Sequence, residues 1–263
     1  MSFLEAVFFG VLQGITEFLP VSSSGHLVIA QRLFGFNDPA LFFDICLHCG
    51  TLAAVCVVLR RDIFDLLRHP FQKTTLFLII ATVMTAVLAF GFKIIKIGEP
   101  EKSLLELTFG SSVFLGCAFL LTSMALFIAE RLSQRALSKK QPGIFDAVLI
   151  GLLQGIAVLP GISRSGWTLA GALGCRFERG FAAKFSFLLS IPAILGALVF
   201  ELKDSFQNQT LPAPLPTAAG TIAAVVTGFF AVKFMLGIVQ RRPLYGFSIY
   251  TAILGISVFI FNL

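Results

Sequence analysis

Charge is what this chain has least of. Only 13% of its 263 residues are charged and 57% are hydrophobic, where a soluble domain carries about 25% charged residues. That scarcity excludes an ordinary globular protein. Regular polar alternation is also missing. A transmembrane β-barrel needs segments of about ten residues that alternate apolar and polar, whereas Leu76 to Phe90 and Ala252 to Phe261 are almost continuously apolar. The spans are therefore helical, and the fold expected is an all-α integral membrane protein. A basic n-region is absent too, and the first apolar stretch contains Glu5 and Glu17, so no cleaved signal peptide is expected.

Cysteine is sparse: Cys46, Cys49, Cys56, Cys117 and Cys175. Cys46 and Cys49 form a C-x-x-C, but there is no second pair and the surroundings are apolar, so zinc is not expected and the thiols read as small buried hydrophobes. The net charge of +6 comes from 20 Lys and Arg residues lying mostly between apolar segments. Such spacing fits topology control by cytoplasmic positive charge and not a nucleic-acid surface.

What is present in abundance is apolar sequence, with 30 Phe residues and a mean hydropathy of +0.91. Segments near the roughly 20 residues needed to cross a bilayer fall at about 41 to 60, 74 to 96, 106 to 130, 181 to 201, 217 to 239 and 245 to 262. Two further apolar regions, 1 to 35 and 144 to 175, are interrupted by Leu19-Pro20-Val21-Ser22-Ser23-Ser24-Gly25 and Pro160-Gly161-Ile162-Ser163-Arg164-Ser165-Gly166. Each half of these is short for a span, so both read as re-entrant hairpins whose irregular backbone lies inside protein.

The two broken regions match each other at an offset of 141 residues. Ala6, Val7, Gly10, Leu12, Gln13, Gly14, Ile15, Ser22, Ser24 and Gly25 recur as Ala147, Val148, Gly151, Leu153, Gln154, Gly155, Ile156, Ser163, Ser165 and Gly166. An internal duplication follows: repeat one over about 1–130 and repeat two over about 144–263, within a single polytopic domain spanning 1–263. Arg60, Arg61, Arg68 and Lys73 follow the first crossing, and Arg131, Arg135, Lys139 and Lys140 follow the third, which places both loops in the cytoplasm. The balanced loop with Lys96, Glu99, Glu101 and Lys102, and the Pro-rich Leu211 to Pro216, then lie outside. Three crossings separate the broken regions, so the repeats are expected to be inverted, with polar tips meeting near the midplane.

Those tips hold the candidate chemistry. The first carries Gln13, Glu17, Ser22, Ser23, Ser24 and His26, and the second Gln154, Ser163, Arg164, Ser165 and Thr168. A carboxylate within a membrane segment costs on the order of 3 kcal/mol, so Glu17 requires a metal ion, Arg164 or a proton. Gln13 and Glu17 share a helix face, and this oxygen pair suits a hard divalent cation, magnesium or calcium. Arg164 in a Gly- and Ser-rich turn before a helix suits phosphate. Ser23 reads as a nucleophile or a phosphate donor, and His26 as a proton shuttle or base. Asp44 and His48 also stand four residues apart, but no third ligand accompanies them, and no role is assigned. Inverted repeats around an anion site describe a secondary transporter or lipid flippase as well as a hydrolase.

The segment Gln13-Gly14-Ile15-Thr16-Glu17-Phe18-Leu19-Pro20-Val21-Ser22-Ser23-Ser24-Gly25-His26, together with Pro160 to Thr168 and Phe185 to Pro192, resembles the undecaprenyl-diphosphate phosphatase family, also called the bacitracin resistance protein family. The resemblance runs the length of the chain. It implies a bacterial inner-membrane hydrolase that recycles the polyprenyl lipid carrier of envelope synthesis, needs a divalent cation and faces the periplasm. By the same resemblance the catalytic set is Glu17, Ser23, His26 and Arg164, the metal motif Gln13 and Glu17, and the phosphate motif Ser163, Arg164, Ser165 and Thr168. Some members have Glu where this chain has Gln13. The partners implied are a polyprenyl diphosphate substrate and membrane lipids, with no nucleic acid; a homodimer is compatible with the sequence.

Overall fold

The computed structural model describes residues 1–36, 41–97, 102, 103, 108, 111–135, 142–207 and 213–262. Glu99, Glu101, Lys139, Lys140 and the start of the Leu211 to Pro216 stretch lie outside them. The described elements are eleven helices: α1 (Phe3–Phe18), α2 (Ser23–Leu33), α3 (Leu41–Val58), α4 (Arg60–Arg68), α5 (Lys73–Ile94), α6 (Ser112–Arg135), α7 (Ile144–Ile156), α8 (Arg164–Gly174), α9 (Arg179–Gln207), α10 (Pro214–Arg241) and α11 (Tyr245–Phe261). One two-residue ladder, unannounced in the sequence, pairs β1 (Lys96–Ile97) antiparallel to β2 (Lys102–Ser103).

Each of the six apolar segments is mostly helix over its described residues. Four helices, α5, α6, the Arg179–Val199 stretch of α9, and α10, are long and apolar enough to cross a membrane, and α3 joins them if it and α4, bent by 74°, count as one span. Helix α11, at 17 residues, is a shorter apolar helix.

Local chemistry sets both breaks. Helix α1 opens on a capping box in which the Ser2 hydroxyl accepts from the Glu5 amide and the Glu5 carboxylate accepts from the Ser2 amide. It stops at Phe18 because Pro20 holds Leu19 extended. Helix α2 restarts from Ser22, whose hydroxyl caps the Gly25 amide at 3.3 Å. The second break follows the same plan: Asp146 accepts from the Gly143 amide at the start of α7, and Ser163 caps the Gly166 amide at 3.1 Å to start α8. Ser22 reaches its place only at φ 70°, outside the usual range of an L residue, and Gly161 stands at φ 81° in the second break.

The halves interlock. Helix α1 lies along α10, and α7 lies along α5, so the first short helix of each half rests on the second long helix of the other. Gly10 permits this. A Cβ there would stand 2.1 Å from the Gly220 carbonyl oxygen, and at Gly151 it would stand 2.4 Å from that of Ala81. These are close small-residue contacts of the kind that hold helices together where lipid offers no hydrophobic drive. Gly10→Ala is expected to destabilise the protein by about 1–3 kcal/mol through forced separation of α1 and α10. Gly91→Ala, with nothing within 4 Å of the added carbon, is the control, and detergent melting curves compare the two.

The main core gathers Phe18, Val55, Ala81, Ile150, Leu173, Phe185, Leu189 and Val232. Burial of the thiols is a correction: only Cys175 is buried, Cys46 and Cys56 are half-buried, and Cys49 and Cys117 are exposed, all without disulfides.

Candidate active site

Two backbone breaks touch at their tips. The Ser165 hydroxyl donates to the Leu19 carbonyl at 2.9 Å, and the Gly161 amide donates to the Ser24 hydroxyl at 3.3 Å. Across this seam the Arg164 Nη2 donates to Glu17 Oε1 at 2.5 Å. Of the three partners that the sequence offered Glu17, the structure supplies Arg164.

Glu17 is the hub. Its Oε2 accepts from Gln13 Nε2 at 2.9 Å and from Ser23 Oγ at 2.6 Å, and His48 Nε2 stands 3.8 Å away. The Gln13 bond follows from helical spacing on α1. The Ser23 bond exists because the Pro20 break folds α2 back onto the end of α1. Gln13 is fully buried and Glu17 is 6% exposed. A buried carboxylate with three donors, one of them a guanidinium, has the polar partners that burial demands.

Two polar atoms in this cluster are buried without a hydrogen-bond partner among the described residues: Gln13 Oε1 and Arg164 Nη1. One is an acceptor and the other a cationic donor, on residues that bond Glu17 through Gln13 Nε2 and Arg164 Nη2. Burying such groups unpaired costs about 1–3 kcal/mol each, more for the charged one. A cation beside Gln13 and an anion beside Arg164 would satisfy both. Gln13, Glu17 and the nearby His48 present amide oxygen, carboxylate and imidazole, a small donor set of the kind that leaves a hard cation much of its water. Among the described residues there is no group of three His, Cys, Asp or Glu that could hold a metal by itself.

The remaining sequence candidates are placed as follows. Ser163 caps α8, donates its amide to Thr122 Oγ1 at 3.1 Å and lies 3.3 Å from the Ser165 hydroxyl. Thr168 Oγ1 bonds the Arg164 and Ser165 carbonyls and Ser186 Oγ on α9. These hydroxyls fix the loop that presents Arg164. His26 is not hydrogen-bonded to Ser23 or Glu17. Its Nδ1 lies 2.7 Å from the Ser22 carbonyl and must carry the proton there, leaving Nε2 to accept from the Tyr250 hydroxyl at 2.7 Å when the ring is neutral. Tyr250, on α11, also stacks on His26 at an interplanar angle of 8°.

His48 and Tyr250 are the residues that sequence reasoning missed. The i, i+4 spacing of His48 and Asp44 was its signal, and the structure places His48 Nδ1 2.8 Å from the Asp44 backbone carbonyl. Asp44 accepts from Gln31 at 3.1 Å while the His48 ring turns toward Glu17. Gln154, the counterpart of Gln13 in the second half, donates instead to Thr85 at 3.1 Å, and Val158 stands where the repeat would place a second Glu17.

Comparison with known proteins gives the family. The family model described as bacitracin resistance protein BacA matches residues 6–257. The undecaprenyl-diphosphatase of Carboxydothermus hydrogenoformans is 42% identical over 99% of this chain and 97% of its own length. That of Alkaliphilus metalliredigens is 39% identical over all of both chains, and that of Syntrophotalea carbinolica 38% over 97% of each.

Proposed function

Because the chain belongs to the bacitracin resistance protein family, we propose that it hydrolyses undecaprenyl diphosphate to undecaprenyl phosphate and inorganic phosphate. The observation that carries the reading is the Ser23 hydroxyl donating to Glu17 at 2.6 Å beside an uncommitted Arg164 Nη1. That is a nucleophile with its base, next to a phosphate anchor.

In the proposed mechanism Arg164 Nη1 binds an oxygen of the terminal phosphoryl group, and the first amides of α8 with Ser163, Ser165 and Thr168 complete the phosphate-binding turn. Glu17 accepts the Ser23 proton as Oγ attacks phosphorus. The bond to the bridging oxygen breaks, and undecaprenyl phosphate leaves with its electron pair. Water then cleaves the phosphoserine, releasing inorganic phosphate and restoring Ser23. His26 bonds the Ser22 carbonyl and the Tyr250 hydroxyl and not Ser23 or Glu17, so in this mechanism any proton it relays reaches the site through water or substrate. Gln13 Oε1 and Glu17 would hold a divalent cation, magnesium or calcium, which when bound supplies charge neutralisation for the diphosphate.

Supporting context includes the apolar helices, which suit a multi-pass protein of the bacterial inner membrane, and loop charge, which favours a site reached from the periplasm. The sequence matches between the halves, with Glu5 and Asp146 each bonding the backbone amide three residues earlier at a helix start, support a duplication within one domain, and the three crossings between the broken regions support its inversion. A homodimer is compatible with this arrangement. A transporter would need the site reachable from both sides, and the Ser23–Glu17 bond serves no such purpose.

Phosphate release by the purified protein in detergent is the test. Release from undecaprenyl diphosphate but not from the monophosphate is expected, lowered at least about tenfold by a chelator and restored by magnesium or calcium. No release under any divalent metal from a folded protein would overturn the reading.

A further inference from the structure

At the junction of α3 and α4 the chain turns through 74° at Leu59, and Arg60 and Arg61 open the new helix. They are cations at the positive end of a helix dipole, where anions are favoured. The N-cap, Leu59, has no side chain to offer its amides. Lys233 of α10 closes the same space, its ammonium 4.2 Å from the centre of the Phe229 ring. The result is a cavity of about 220 Å³ lined by Val57, Val58, Arg60, Arg61, Phe229 and Lys233. No carboxylate lines it. Asp62, the next residue, is held by Lys184 at 2.7 Å, and none of the three cations has an acidic partner among the described residues.

A second cavity, of about 270 Å³, shares Val57 and Phe229 with the first and continues one turn along both helices past Ala54, Val225, Val226 and Phe230. Its lining residues are all apolar. Val57, Val226 and Phe230 are exposed on the outer surface of the bundle, so the groove opens to the bilayer. None of these residues belongs to the Glu17 cluster.

We infer that the α3–α10 groove is a binding site for an anionic phospholipid, with its phosphate held by Arg60, Arg61 and Lys233 and an acyl chain lying along Val57, Val226 and Phe230. Charge and shape both select this occupant. Three cations without a counter-ion call for an anion, and an apolar channel running from the mouth calls for that anion to carry a hydrocarbon chain. Loop charge places this end of α3 on the cytoplasmic side, where basic pockets between helices meet anionic head groups. Because none of its residues is among those placed around Glu17, the inference stands or falls separately from the hydrolase reading.

Native mass spectrometry of the full chain in neutral detergent tests it, with dioleoyl phosphatidylglycerol and dioleoyl phosphatidylcholine offered at equal concentration. The native protein is expected to retain phosphatidylglycerol at least about tenfold better. The triple variant Arg60→Gln, Arg61→Gln, Lys233→Gln should lose that preference and keep its melting temperature. Val226→Trp, which fills the groove without changing charge, should lower retention as well. The control triple Arg68→Gln, Lys73→Gln, Arg131→Gln removes the same charge elsewhere on exposed positions and should retain the lipid. Equal loss in both triples would reduce the effect to general surface charge and overturn the site. Displacement of phosphatidylglycerol by inorganic phosphate alone, or by undecaprenyl phosphate at far lower concentration, would overturn the phospholipid as its occupant.

Discussion

Ser23→Ala is expected to lower phosphate release from undecaprenyl diphosphate by about 10³-fold or more, with little change in stability. The Ser23 hydroxyl is the group in hydrogen-bond reach of Glu17 whose oxygen can attack phosphorus, at 2.6 Å from the carboxylate that takes its proton. Its loss leaves Glu17 still bonded to Gln13 and Arg164, so the fold forfeits one hydrogen bond worth about 1 kcal/mol. Turnover and melting temperature therefore separate. Brief incubation of the native protein with substrate labelled in the terminal phosphate should also leave label on Ser23 after acid quench. A Ser23→Ala rate within tenfold of native would remove the covalent step and leave direct attack by water.

Arg164 carries two burdens that two substitutions pull apart. Its Nη2 neutralises Glu17, and its Nη1 is free for substrate. Arg164→Ala is expected to cost about 3–5 kcal/mol of stability, because a buried carboxylate loses its counter-charge, and to lower turnover by about 10³-fold. Arg164→Lys keeps the charge for Glu17 but not the planar fork that serves carboxylate and phosphate together. It should recover most of the melting temperature and little of the rate. Adding Glu17→Gln to Arg164→Ala should restore stability without activity, since the stranded charge is gone. A near-native rate in either Arg164 variant would take this residue out of the reaction.

Much of this site was legible in the sequence because it is built from local spacing. Gln13 and Glu17 share a helix face wherever α1 lies, and Pro20 and Pro160 announce the breaks. Arg164 was one of three partners the sequence offered Glu17, and the structure joins the two. What could not be read depends on which face a helix turns inward. Helix α3 carries Asp44, His48 and Thr51 along one face, but that spacing does not say that the Asp44 carboxylate meets Gln31 while the His48 ring meets Glu17. The cysteines misled for a related reason: in a bilayer the outside of the bundle is as apolar as its interior, and Cys49 and Cys117 lie there exposed. His26 was grouped with Ser23 by nearness along the chain. Its ring nitrogens are occupied by the Ser22 carbonyl and by Tyr250, more than two hundred residues away. The glycines common to both halves were visible as identities, but their purpose as contact points with the opposite half was not.

That interlock governs the order in which the protein can be made. Helix α1 leaves the ribosome before its bed, α10, which follows it by some two hundred residues. Until then Gly10 faces no Gly220, and the carboxylate on α1 waits for an arginine some 147 residues downstream. Ribosomes translating at about 5–20 residues per second impose a delay of roughly ten seconds or more between the two helices. A chain arrested before α10 holds Glu17 without the wall against which α1 is seated, so incomplete products are expected to release no phosphate from the lipid substrate.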